Sequence, residues 1–282
     1  MPSPGLSLVG FLDEPSALHH LRTACIPPDP TDAALRNVWQ AAQVRLGPPV
    51  LNAGQPQILP IAAAQSPHVV ALMQTPWIAQ ALQTTLQGAT FQLIEVAPLL
   101  AYQFSIDLDR TAHHCKALST PPDADELMSV CLPTAITPEP LQVHPLAQSV
   151  LIKARCLNVQ VTAQGWFQQL SPNMAGISVG VSLPLVHVVR LHGRCYLHNG
   201  YHRAVGALRA GASHVPCVFR DVADPQSAGI KQDGTTFSSA LLSGPNAPTV
   251  GHMSVQRAEA VTLRAHSRVM HVSWADYVTY DE

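Results

Sequence analysis

The sequence has 282 residues, which is enough for one large domain or two modest ones. Only 12% of the residues are charged and the formal net charge is −2, so the composition does not favour a densely basic nucleic-acid-binding protein. The six cysteines form no CxxC pair and no secretory signal precedes them, so we expect a cytoplasmic protein with reduced thiols.

The N-terminal region, residues 1–88, is predicted to be helical. Apolar residues recur at helical spacing within residues 29–48, which begin with Asp-Pro and end with Gly-Pro-type breakers. Residues 46–94 carry no charge, but six prolines interrupt them, so we expect no membrane span. Ser66-Pro67 and Thr75-Pro76 each predict a further helix with proline in its first turn.

Residues 91–106 predict two extended segments, and a polar cluster follows them. That cluster contains Asp107, Asp109 and the run His113-His114-Cys115, a composition that invites a metal-site interpretation. Adjacent histidines point in different directions in any regular element, and no second pair with ligand spacing exists. We therefore expect no structural metal and instead a solvated loop, inserted over about residues 111–150 and rich in proline and aspartate over 119–140.

The remaining segments outside the central motif have weaker patterns. Residues 146–152 predict a short helix and residues 158–161 a strand, whereas 164–181 predict a loop or short helices over the candidate site. Residues 223–252 are expected to form a flexible linker, with a lid as the less favoured alternative. Alternation in the C-terminal segment, residues 253–282, predicts a closing β-hairpin with its turn near 266–267.

Residues 185–220 contain the clearest pattern in the chain. A β-branched strand, a His-Gly turn and a second short strand lead into Asn199-Gly200, which favours positive φ. Helical spacing begins at Tyr201 and ends before Gly211, and one more strand follows. Together with the flanking regions, this order predicts an α+β fold with a mixed sheet.

The first turn of that helix carries His202 and Arg203 and no acid, although helix N-termini favour negative charge. Free backbone N–H groups, an imidazole and a guanidinium at one point would suit a phosphate or carboxylate, and Gly200 would let the backbone approach it. Residues 140–220 contain seven basic residues, Arg194 among them, and no Asp or Glu. An anion site is favoured over the alternative, in which this block packs against the acidic flanks of the chain.

The run Asn199-Gly200-Tyr201-His202-Arg203, between strands, resembles the motif turn and helix of the ParB/sulfiredoxin superfamily. The resemblance is clear over residues 176–222, and residues 91–110 resemble the opening strand of such domains. It implies a ParB/sulfiredoxin-like domain over 89–222 whose motif helix receives nucleotide phosphates. The ligand-binding residues would then be Asn199, Gly200, Tyr201, His202, Arg203 and Arg194.

Two positions depart from the family. Tyr201 stands where sulfiredoxins have their reactive cysteine, so sulfinic acid reduction is not expected. Asn199 stands where many nuclease- and kinase-like members have an aspartate, which weakens any Mg²⁺ site on the turn. Mg²⁺ bound with a nucleotide would then need carboxylates from elsewhere, and Glu95, Asp107 and Asp109 are the candidates.

The resemblance implies a nucleotide- or phosphate-binding protein, with ATP or CTP as partner. It could act as an NTP hydrolase or phosphotransferase, in which His202 and Glu95 would be the catalytic residues. The alternatives are a non-catalytic domain that keeps the fold for protein interaction, and a DNA-binding or nuclease member. DNA is the less favoured partner, because the chain shows no helix-turn-helix and no dense basic region.

Overall fold

The computed structural model describes residues 1–62, 66–135, 142–154, 184–225, 227–228, 236–265 and 268–275, together with short strands between 159 and 181. The fold is of the α+β class. In these residues the helices are α1 (Glu14–Thr23), α2 (Asp32–Arg45), α3 (Pro67–Met73), α4 (Pro76–Gln83), α5 (Leu108–Cys115), α6 (Ala124–Cys131), α7 (Tyr201–Arg209) and α8 (Ser239–Ser243). The strands are β1 (Ser3–Ser7), β2 (Ile58–Pro60), β3 (Thr90–Glu95), β4 (Ser105–Asp107), β5 (Gln142–Leu146), β6 (Ser149–Ala154), β7 (Val159–Val161), β8 (Gln168–Ser171), β9 (Met174–Gly176), β10 (Val179–Val181), β11 (His187–Leu191), β12 (Arg194–Asn199), β13 (His214–Asp221), β14 (Glu259–Leu263) and β15 (Arg268–Ser273).

The chain divides into two compact units, whose boundaries differ from those predicted at 88, 222 and 252. The larger unit comprises Met1–Ala135 and Pro184–Arg264, and the smaller comprises Ile136–Leu183 and Ala265–Glu282. The smaller unit contains an antiparallel sheet in the order β15-β6-β5 and the antiparallel pairs β7–β10 and β8–β9.

The larger unit is organised by a mixed five-stranded sheet in the order β12-β11-β13-β3-β2. β11 and β12 form an antiparallel hairpin, whose turn places His192 at φ 47° and Gly193 at φ 76°. β13 then lies parallel to β11, and α7 forms the connection between β12 and β13. The order predicted for residues 185–220 is confirmed.

A second sheet of the larger unit has the order β14-β1-β4 and is antiparallel throughout. The core that joins the elements of this unit buries side chains from β11, β12, β13, α7 and the segment after β3. Its fully buried members include Val188, Leu197, Cys217, Val205 and Leu99. The sheet therefore holds α7 in a fixed place, and α5 and α6 pack beside it.

The proline-marked helices of the N-terminal region are confirmed. α3 and α4 each begin with proline in the first turn, after Ser66 and Thr75 respectively, and α2 lies within the predicted residues 29–48. Helix α1, which Asp13 caps through a hydrogen bond from Ser16 N of 2.9 Å, adds to the predicted set. No helix in the described ranges is long and apolar enough to cross a bilayer.

The loop predicted over residues 111–150 is wrong in two places, and the helix predicted beside it is also wrong. α5 begins directly after Asp107, whose side chain caps it, and α6 begins with a capping box between Asp123 and Glu126. Residues 146–152, predicted as a helix, belong instead to the β5–β6 hairpin. The strand predicted at 158–161 is present as β7, and 164–181 contain three strands, with residues 164–167, 172–173 and 177–178 outside the described part.

Two C-terminal predictions are also wrong. Of the expected linker, residues 236–252 pack into the core, where Phe237, Leu242 and Val250 are almost fully buried; residues 226 and 229–235 lie outside the described residues. In the described residues β14 pairs with β1 and β15 pairs with β6, so these two strands do not form the expected closing hairpin; its predicted turn at 266–267 lies outside the described residues. The alternation of apolar residues predicts a strand but does not specify the strand with which it pairs.

Candidate anion-binding site

The turn that opens α7 is held by packing against the strand beside it. Gly200 has φ 86°, in the left-handed region, and its N–H donates to Asn199 Oδ1 at 2.8 Å. A Cβ at this position would lie 2.7 Å from Val186 Cα and 2.9 Å from the Leu185 carbonyl oxygen. The side of Gly200 that was expected to admit a ligand therefore faces the backbone of residues 185 and 186.

Tyr201 is an internal anchor of the helix start. Its side chain is buried, and its hydroxyl oxygen accepts a hydrogen bond from Tyr102 N at 3.0 Å. Burial raises the pKa of Tyr201 well above its ordinary value, so the phenol stays protonated. The structure gives this side chain a role in satisfying a buried backbone N–H, instead of the predicted contact with a ligand.

His202 turns its imidazole toward α5. Nδ1 lies 3.2 Å from Thr111 Oγ1, and the backbone of Asp107 acts to raise the pKa of the ring. Burial, followed by the charge of the neighbouring Arg110, lowers the pKa of His202 to about 4, against the opposing effect of Asp107. The imidazole is consequently neutral at pH 7, so the helix start carries one full positive charge where the sequence suggested two potential ones.

Arg203 is that remaining charge. It is half-buried, and it lies close enough to Cys115 and Cys131 to interact electrostatically with both. Burial lowers the pKa of Arg203, whereas the two thiols act in the opposite direction. Within the described residues, no hydrogen bond or ion pair to a protein acceptor satisfies its guanidinium. A guanidinium that is partly withdrawn from water favours an anionic partner.

Helix α5 supplies the second half of the site, which sequence reasoning missed. His114 lies with its ring centroid 6.1 Å from that of His202, and burial, followed by the charge of Arg203, lowers its pKa to about 4. Arg110 acts electrostatically on both histidines. The available signal was the helical spacing of positions 107, 110, 111 and 114. We call Arg110, Thr111, His114, His202 and Arg203 the α5–α7 cluster.

The two helices of the cluster approach closely because α7 has a glycine at the crossing. A Cβ at Gly206 would lie 2.9 Å from the Cβ of Cys115 and 3.3 Å from Cγ2 of Thr111. The thiol of Cys115 lies 3.7 Å from the carbonyl oxygen of His202, as a weak sulfur donor would. This contact fixes the spacing between the residues of α5 and those of α7.

Asp107 is the carboxylate that the structure brings to the cluster. One of its oxygens accepts from Arg110 N at 2.9 Å and the other from Ser3 Oγ at 2.7 Å. Burial acts to raise the pKa of Asp107, but these hydrogen bonds lower it overall. Asp109, another candidate ligand for Mg²⁺, is exposed on the first turn of α5.

Glu95 and Arg194, both predicted at the site, have their contacts elsewhere. Glu95 ends β3 opposite His214, and its carboxylate accepts from Gln57 N at 3.1 Å. Arg194 begins β12, about 17 Å along the strand from Asn199 at the other end. Its guanidinium donates to the carbonyl oxygens of residues 53 and 244, at 3.2 and 3.3 Å. Neither side chain joins the α5–α7 cluster.

A second polar group lies in the sheet next to the motif. His198 contacts Ala228 O through Nδ1 at 3.1 Å and packs edge-on against His187, with ring centroids 4.8 Å apart. His187 Nε2 and Arg220 Nε are buried without a hydrogen-bond partner. Burial lowers the pKa of both histidines. They are held within the strands and have no described contact to the cluster.

Metal ligands are not grouped in the described ranges: no three side chains of the His, Cys, Asp and Glu types come together there as a metal site requires. The chain matches no family model, no curated protein and no solved structure. The case for a ligand therefore depends on the geometry and charge of the α5–α7 cluster.

Proposed function

We propose that the larger unit binds a phosphate-bearing small molecule, a nucleotide such as ATP or CTP, at the α5–α7 cluster. The observation that carries the proposal is the half-buried guanidinium of Arg203, which has no acceptor among the described residues. Withdrawing a cation from water without a counter-ion is unfavourable, and a phosphate oxygen would offset that cost through a charge-assisted hydrogen bond.

The surroundings of Arg203 support an anion over a neutral ligand. Arg110 adds a second positive charge close by, and it lowers the pKa of His114 and His202. Asp107, whose carboxylate lies beside the cluster, already accepts hydrogen bonds on both of its oxygens. The helix start of α7 adds the favourable end of the helix dipole.

Binding without turnover is the second candidate function. Phosphoryl transfer usually employs Mg²⁺ held by carboxylates, whereas Asp107 is engaged as a helix cap and Asn199 carries no charge. Glu95, the proposed catalytic acid or base, makes its described hydrogen bond to Gln57 instead. An NTP hydrolase or phosphotransferase would therefore need carboxylates from other residues to hold Mg²⁺.

The proposal is tested by equilibrium unfolding of the purified chain with inorganic phosphate, ATP, CTP or a short DNA duplex, each with and without Mg²⁺. A ligand at 100 times its dissociation constant should raise the free energy of unfolding by about 2.7 kcal/mol. Release of phosphate from a stabilising nucleotide would separate turnover from binding. Stabilisation by DNA alone, lost at high salt, would favour the nucleic-acid alternative.

Arg203→Gln should abolish the increase in the free energy of unfolding that the ligand causes. The matched control is Arg209→Gln, which removes the same charge from an exposed position in the last turn of the same helix. Retention of the increase in the control and its loss in the Arg203 variant would support the site. Equal effects of the two variants, or no stabilisation by any of the anions, would contradict the proposal.

A further inference from the structure

Thr111 makes two contacts through one hydroxyl group. The residue is buried, with 3% of its surface exposed. Oγ1 lies 2.7 Å from the carbonyl oxygen of Asp107 and 3.2 Å from Nδ1 of His202. The carbonyl oxygen has no proton, so the shorter contact is a hydrogen bond that Thr111 donates. The single hydroxyl proton is thereby used.

The proton between Thr111 and His202 must then come from the imidazole. Oγ1 can only accept, so Nδ1 carries the hydrogen and Nε2 of the neutral ring carries a lone pair. In the described part of the chain, the buried side-chain nitrogens without a partner are His187 Nε2 and Arg220 Nε. Nε2 of His202 is not among them and accepts no described hydrogen bond, so it reaches solvent.

We propose that Thr111 is a positioning residue that fixes His202 in the Nδ1–H form, so that the site selects an oxyanion that carries its own proton. Hydrogen phosphate and the monoanion of a phosphate monoester are such ligands; sulfate, which has the same shape and no proton at neutral pH, is not. The choice of ligand class rests on the proposed phosphate-binding function, whereas the tautomer of His202 does not.

The selection follows from the lone pair at Nε2. A P–OH group can donate to it while the other oxygens accept from Arg203, whereas a proton-free oxyanion would place a second lone pair against the first. Protonating the ring to remove this conflict is unfavourable, because burial holds the pKa of His202 at about 4. His114, which burial also keeps neutral, adds no charge to compensate.

The first measurement is the nitrogen-15 NMR spectrum of the ligand-free full chain near neutral pH, with the His202 signals assigned by their absence in His202→Asn. We expect a protonated Nδ1 and an unprotonated Nε2. Thr111→Val removes the hydroxyl at nearly constant shape and should give a mixture of tautomers, whereas Thr111→Ser should restore the original form and also guards against a folding defect in the valine variant. A protonated Nε2 in the unaltered protein would overturn the role of Thr111.

The second measurement compares the affinities for inorganic phosphate and sulfate under the same conditions. Phosphate should bind about tenfold more tightly or better, and Thr111→Val should reduce that ratio while Thr111→Ser keeps it. Equal affinities in the unaltered protein would overturn the selectivity. If neither anion nor any nucleotide binds, the proposed function fails, and the NMR result still decides the role of Thr111.

Discussion

The left-handed turn at Gly200 offers a quantitative test of how the helix start is built. Replacing Gly200 with alanine would place a Cβ 2.7 Å from Val186 Cα and 2.9 Å from the carbonyl oxygen of Leu185, at a residue whose φ is 86°. Both neighbours are backbone atoms, so no side-chain rotation can relieve the contact. The strand β11 or the helix start must move instead.

Two free-energy costs determine how much stability Gly200→Ala should lose. A left-handed non-glycine residue costs roughly 1–2 kcal/mol, and overpacking a well-packed region adds roughly 1–3 kcal/mol. Gly193→Ala provides the matched control, because Gly193 has φ 76° and a Cβ there would meet no atom within 4 Å. Gly193→Ala should show only the cost of a left-handed alanine. The effect of alanine on the unfolded chain is common to both variants and cancels in the comparison.

The assay is urea unfolding with linear extrapolation to water. Gly200→Ala should lose roughly 1–3 kcal/mol more stability than Gly193→Ala. If the two losses agree within about 0.5 kcal/mol, the packing of Gly200 against residues 185 and 186 contributes nothing, and the reasoning about this turn is refuted.

Two further predictions concern the buried polar groups. Tyr201→Phe should destabilise the chain by about 1–3 kcal/mol, because Tyr102 N–H loses its acceptor, and phosphate binding should persist; unchanged stability with lost binding would place the hydroxyl in the site instead. Stability should also fall with acid. His114 and His202 have folded-state pKa values of about 4, below the ordinary 6.5, so between these pH values the folded chain binds fewer protons than the unfolded chain. The contribution of each histidine to the free energy of unfolding is therefore complete above about pH 6.5 and is lost as the pH falls toward 4. When urea unfolding is measured across this pH range, the free energy of unfolding of His114→Gln should fall less steeply than that of the unaltered protein, by up to about 1.4 kcal/mol per pH unit. An equally steep fall would assign the proton uptake to other groups.

The motif from β11 to β13 could be predicted because its signals are local. β-Branched residues, a His-Gly turn, Asn199-Gly200 and a helical period follow one another directly, and the structure has each element in its predicted place. Helix α5 could not be predicted in the same way. It has eight residues and few apolar side chains, and its contacts with Gly206 and His202 lie far away in the sequence.

The charge state of the candidate site was also beyond local reasoning. His202 looks like a potential cation in the sequence, but burial beside α5 makes it neutral. Arg194 looks like part of the same basic block, although the length of β12 separates it from Arg203. Residue type predicted which side chains could bind an anion, whereas burial and strand length decide which of them lie close together.

The close crossing of α5 and α7 at Gly206 has a consequence for how much of the chain a functional fragment must include. Residues 176–222 contain the whole recognisable motif, yet Arg110, Thr111 and His114 enter from about ninety positions earlier. A peptide limited to the motif would retain Arg203 while losing the neighbours that withdraw it from water and set the proton on His202. The segment that resembles a known motif is therefore shorter than the set of segments that the proposed anion site needs.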